Sequence, residues 1–134
     1  MSDAAANASQ YARGQALSEE VMPGLEAALS ERYDDLLPGF AEWQISTVYG
    51  GVYDRPGLDM KTRQIATVAA LATMGLKARP QLKIHVKAAL DKGWSEREIA
   101  EVILQMSLYA GFPDMINALN AAKEVFAEQE ANDG

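Results

Sequence analysis

The chain has no cysteine and one histidine among its 134 residues. Without cysteine there can be no disulfide, no iron–sulfur cluster and no thiolate nucleophile. With a single histidine, an ordinary zinc site within one chain is also excluded, because such sites draw on several His or Cys ligands. Long apolar runs are missing as well. The longest, Ile65 to Leu76, is interrupted by threonines and falls short of the ~18 residues a membrane span requires. The opening residues, Met1 to Asn7, show no basic segment followed by an apolar one, so a cytoplasmic protein without a secretory signal is expected. Cations are fewer than anions, 12 against 19, for a net charge of −7, which argues against nucleic acid as a partner. Alternating strand-like patterning is absent too. Val48 to Tyr53 comes nearest, but its two glycines favour helix or turn.

What remains is helical. The apolar fraction of 49% lies in the globular range, and the length suits one domain, residues 1–134. The periodicity predicts six or seven helices packed as a compact all-α bundle. A first helix runs from Asp3 to about Val21, with Gly14 as a candidate break. Pro23-Gly24 separates it from a second, Leu25 to Tyr33. Pro38-Gly39 precedes a third, which stops near Tyr53 because Arg55 stands before Pro56. Asp59 is placed to cap a fourth helix with an apolar stripe of Ile65, Val68, Ala69 and Ala72, ending at Met74-Gly75. Pro80 suits the first turn of a fifth, with Leu82, His85, Val86 and Ala89 on one face. Ser95 and Glu98 form a capping box for a sixth, lined by Ile99, Val102, Ile103, Met106 and Ala110. The break Gly111-Phe112-Pro113 opens the last helix, with its stripe of Met115, Ala118, Leu119, Ala122 and Phe126. Glu128 to Gly134 is expected to fray.

Charge is unevenly spread. Between Arg55 and Lys87 stand seven cations (Arg55, Lys61, Arg63, Lys77, Arg79, Lys83, Lys87) and one anion, Asp59. That stretch carries +6 and the rest of the chain −13. A local positive field can steer a small anion. Solvated helix faces, or pairing with acidic segments of a neighbouring subunit, account for the same pattern.

His85 is the first candidate for chemistry, since imidazole alone titrates near neutrality. On an apolar helix face, burial and a partner can tune it as a general acid or base. The alternative is a core histidine satisfied by hydrogen bonds. Arg55 and Arg63 suit carboxylate recognition through paired N–H groups. Arg63, nearly opposite its helix's stripe, is expected at the surface or reaching a neighbouring subunit. Lys83 and Lys87 also lie off the His85 face. Tyr49, Tyr53, Gln105 and Tyr109 can donate hydrogen bonds into a pocket, or can be ordinary amphipathic packing. Trp43 and Trp94 read as packing or interface anchors. No phosphate loop, GxSxG, HExxH or EF-hand pattern occurs.

Several blocks in order resemble the carboxymuconolactone decarboxylase family. They are Tyr49-Gly50-Gly51-Val52-Tyr53-Asp54-Arg55-Pro56-Gly57-Leu58-Asp59 with Lys61-Thr62-Arg63, then Gln81-Leu82-Lys83-Ile84-His85, Ala88-Ala89-Leu90 to Gly93, and Glu101-Val102-Ile103-Leu104-Gln105. Tyr109-Ala110-Gly111-Phe112-Pro113 to Asn117-Ala118 completes the set. The match is close over residues 49–126.

The resemblance implies an alkyl hydroperoxidase D-like fold assembled as a ring, often a homohexamer. It also implies cofactor-free decarboxylation of 4-carboxymuconolactone or a related small carboxylic acid in aromatic-compound catabolism. The family's peroxidase branch carries a CxxCxxxH motif. With its histidine placed on His85, the cysteine positions hold Ala78 and Gln81. The glutamate which that branch uses on the preceding helix falls where this chain has Arg63-Gln64.

The site expected from the resemblance has His85 and Arg63 as catalytic residues, with Arg55, Gln105, Tyr109 and Tyr49 binding a small anionic substrate, and no metal. Two other readings share the scaffold. One is a non-catalytic oligomeric module binding a small anion or a protein. The other is a peroxidase relative that has lost its redox cysteines.

Overall fold

The computed structural model describes residues 3–133. Among the described residues there are seven α-helices and no strand. The helices gather into two compact bodies, one up to Leu58 and one from Asp59 onward.

The first body holds α1 (Asp3–Val21), α2 (Leu25–Tyr33) and α3 (Phe40–Gln44), which continues into a π-helical segment, Ile45–Tyr53. The helix breaks fall at the expected glycines. Gly24 and Gly39 adopt φ of 83° and 82°, a region that costs a glycine nothing and other residues a steric clash. Gly14, a candidate break, leaves α1 uninterrupted over Asp3–Val21. Its role is contact: a Cβ at Gly14 would lie 2.6 Å from the Ile45 carbonyl oxygen, and one at Gly50 would fall on the Gln10 carbonyl.

The absence of side chains thus lets α1 lie directly against the π-helical segment. The Gln10 amide secures that approach by donating to the Ser46 carbonyl at 3.0 Å. Gly50→Ala is therefore expected to destabilise the protein by about 1–3 kcal/mol, the cost of forcing atoms into a filled contact. Urea unfolding measures it. An unchanged midpoint would show that the seam has slack.

The second body holds α4 (Met60–Ala72), a 3₁₀ turn (Gly75–Ala78), α5 (Arg79–Asp91), α6 (Glu96–Ala110) and α7 (Phe112–Asp133). Both predicted caps are present. The Asp59 carboxylate accepts from the Thr62 N–H at 2.8 Å. Ser95 and Glu98 exchange bonds of 3.0 Å in each direction. Trp94 ties the start of α4 to the α5–α6 turn: its indole N–H donates to the Lys61 carbonyl at 2.7 Å. The Lys61 ammonium sits 4.7 Å from the ring centre, a cation–π contact.

The core of this body joins Val68 of α4, Leu82 and Val86 of α5, Ile99 and Ile103 of α6, and Met115, Ala118 and Ala122 of α7. Three boundaries differ from expectation. α4 stops at Ala72, and the 3₁₀ turn takes over where Gly75 has φ of 61°. The second half of the third predicted helix is π-helical. α7 stays helical through Glu128 to Asp133, extending the helix that buries Ala121, Ala122 and Val125; Gly134 lies outside the described residues. Among the described residues no helix is long and apolar enough to cross a membrane.

Candidate functional site

The buried stripe of α4 is centred differently from the reading above. Gln64, Val68 and Ala72 are fully buried, four residues apart, whereas Ile65 and Ala69 are only partly covered. A primary amide therefore sits in the middle of an apolar stripe, with 0% of its surface exposed. Burying an amide costs free energy unless its donors and acceptor are used. Both ends of this one are: Nε2 meets the Met60 sulfur at 3.3 Å, and Oε1 lies 2.8 Å from His85 Nδ1.

His85 projects from α5 and is half-buried. Nδ1 is engaged, and Nε2 has no hydrogen-bond partner among the described residues. Burial depresses its pKa from 6.5 to about 4. No charged neighbour contributes to the shift, so its origin is desolvation of the imidazolium. At neutral pH the ring is uncharged.

Arg63, expected at the surface or reaching a neighbouring subunit, is half-buried within its own chain, with its Nε shielded from solvent. The first turn of α4 is covered on a wider arc than the apolar residues alone define. Arg63 directly precedes Gln64, so one helical turn carries both the histidine's partner and a guanidinium.

The cations downstream are mostly matched within the chain. Arg79 pairs with Glu124. Lys83 reaches Glu124 at 3.2 Å and Glu128 at 3.4 Å, and Lys87 reaches Asp91 at 3.2 Å. This cis pairing accounts for much of the mid-chain positive charge.

No hydrogen bond joins the other predicted residues to this pair among the described residues. Gln105 and Tyr109 are exposed on α6, Tyr109 to 76%, and neither bonds to His85. Tyr49 and Arg55 belong to the first body. Tyr49 is buried, with its hydroxyl donating to the Met22 sulfur at 3.2 Å and its ring edge-on to Tyr53 at 5.3 Å. Burial pushes its pKa up to about 12, so it stays a neutral donor. Arg55 is exposed after the π-helical segment. Two surface hollows of the second body are lined elsewhere, one by Leu90, Ser95 and Glu130, the other by Met74, Lys77 and Asp114.

Gln64 enters the sequence analysis only as the place, with Arg63, where the peroxidase branch carries a glutamate, and is not among the site residues expected there. A polar side chain spaced four and eight residues ahead of two core positions was the signal that could have found it.

An all-α scaffold with an amide-anchored, half-open imidazole and no thiol defines a cysteine-free histidine site. Comparison with known proteins places it further. The carboxymuconolactone decarboxylase family model matches residues 38–124, and the chain belongs to that family. It is 38% identical over 117 residues to an uncharacterized 15.0 kDa protein from the nqo9–nqo10 intergenic region of Paracoccus denitrificans, covering 87% of each chain. It is 32% identical over 120 residues to the 4-carboxymuconolactone decarboxylase of Acinetobacter baylyi, covering 89% of this chain and 88% of that one. A nitrosuccinic acid decarboxylase of Metarhizium robertsii is 37% identical over 78 residues, 58% of this chain and 50% of its own.

Proposed function

We propose that the protein is a cofactor-independent carboxy-lyase acting on 4-carboxymuconolactone or a related small lactone or carboxylic acid in aromatic-compound catabolism, in the cytoplasm. The observation that carries this reading is the His85–Gln64 pair, a half-buried imidazole with one nitrogen anchored and the other open. Relatives named as decarboxylases of two small acids support it.

The reaction breaks the bond between the ring carbon and its carboxylate. Carbon dioxide leaves, and the electron pair spreads through the ring double bond onto the lactone carbonyl. A proton then returns to carbon. The protein must hold the anion, stabilise the developing oxyanion and deliver that proton.

His85 serves as the proton donor. Its low pKa in the free protein is compatible with that role because the substrate is an anion. A carboxylate about 4 Å away interacts with an imidazolium by about 4 kcal/mol at an effective dielectric of about 20. That is about three pH units, enough to bring the ring from about 4 to near neutrality. Substrate binding thereby loads the proton that the reaction consumes. Arg63 orients a carboxylate, in its own subunit or a neighbour's.

Self-association into a homo-oligomer, a hexamer by expectation, belongs to the same reading. Leu104, Leu108 and Tyr109 on α6 and Phe112 and Ile116 on α7 are exposed apolar side chains, and such surface commonly marks contact sites. The deciding assay supplies purified protein with 4-carboxymuconolactone and measures carbon dioxide release. Turnover at enzymatic rates is expected. Saturable binding with no release would replace the lyase with a binding module.

A further inference from the structure

We infer that Gln64 is a positioning residue: its buried amide carbonyl accepts the His85 Nδ1–H, and so makes Nε2 the nitrogen presented to the reactant. The inference rests on the lyase reading for its purpose but not for its geometry.

The orientation of the amide follows from its two neighbours. Its NH2 group lies against the Met60 sulfur at 3.3 Å, leaving the carbonyl for the ring at 2.8 Å. Turning the amide over would set its oxygen against sulfur, two electron-rich atoms, and would lose a donor–acceptor contact. A carbonyl cannot donate, so the proton of the bond belongs to Nδ1. The position of that proton fixes the tautomer.

An amide here differs chemically from a carboxylate. It orients the ring without charge, so it adds no electrostatic support to the imidazolium. The depressed pKa, caused by burial alone, agrees with this. The charged groups on α5 itself are engaged elsewhere. Arg79 and Lys83 pair with Glu124 and Glu128 of α7, and Lys87 pairs with Asp91. The free protein thus holds a neutral ring with a bare Nε2, ready to take up a proton when an anion arrives.

Because His85 is the sole histidine, nitrogen-15 spectra of the labelled protein report on it alone. At pH 7.5 the wild type is expected to show Nδ1 protonated and Nε2 bare. An Nε2–H tautomer would overturn the inference outright. In Gln64→Leu the anchoring acceptor is gone, and the neutral ring should shift toward the Nε2–H form, whereas retention of Nδ1–H would also overturn it. Gln64→Glu keeps the acceptor and adds a charge. The tautomer should persist, and the His85 pKa should rise by about one to three units; no rise would mean the side chains do not touch. In turnover, Gln64→Leu should lower kcat by about 10²-fold with KM little changed. Absence of decarboxylation in wild type would remove the lyase reading while leaving the tautomer result standing. A wrong tautomer in an active enzyme would remove this inference alone.

Discussion

Replacing His85 with alanine is expected to lower kcat for decarboxylation by about 10²–10⁴-fold, the range a placed acid or base contributes. At pH 7.5 KM should change little, because there the ring is mostly neutral both in the free protein and in the complex; toward pH 4 the wild type should bind the anion more tightly than the variant. The pH profile carries the same signature. In kcat/KM the group should titrate near 4, as in the free protein, and in kcat about three units higher, as in the complex. Full activity in the variant would end the proton-donor assignment. Carbon dioxide release at several pH values measures all of this on two proteins.

A second large effect concerns stability. The folded protein keeps His85 neutral down to about pH 4, while the ordinary value of 6.5 governs the unfolded chain. Between these values the unfolded state binds a proton that the folded state does not. Stability therefore falls as pH drops through that window, and is unaffected by this group above it. The loss approaches about 3 kcal/mol once pH reaches the folded value, a sizeable share of the 5–15 kcal/mol that holds a typical domain together.

Carboxylates also titrate on the way down, so the comparison must be with His85→Gln, which keeps them. From pH 7.5 to 4.5 the wild type should lose about 2–3 kcal/mol more than the variant by denaturant unfolding. Parallel losses would mean that the imidazole is as well solvated in the fold as outside it.

Much of the fold was legible before any coordinates. Asp59 and the Ser95–Glu98 box act within one turn of chain, so their effect is local and readable. The same holds for Gly24, Gly39 and Gly111 with their positive φ. What failed to show was non-local. Gly14 looks like a helix breaker until the Ile45 carbonyl is set beside it. The α4 stripe read as 65-68-69-72, because hydrophobicity alone cannot say which flank a neighbouring helix covers; the neighbours chose 64-68-72. The same displacement hid both the Gln64–His85 bond and the partial burial of Arg63. Of the candidate site, the histidine was visible because imidazole is rare here. Its partner was not, because an amide carries no chemical flag until it is buried.

Trp43 lies on α3 in the first body, 62% exposed, and Trp94 lies in the second, bonded to the α4 start and covered by Lys61. The two indoles thus differ in polarity of surroundings and report on different halves. With Trp43→Phe, emission arises only at the turn that anchors the helix bearing Gln64. Loss of that helix's first turn would be seen as a red shift, separately from melting of the amino-terminal half. Intrinsic fluorescence can therefore tell whether the two halves let go together or in succession.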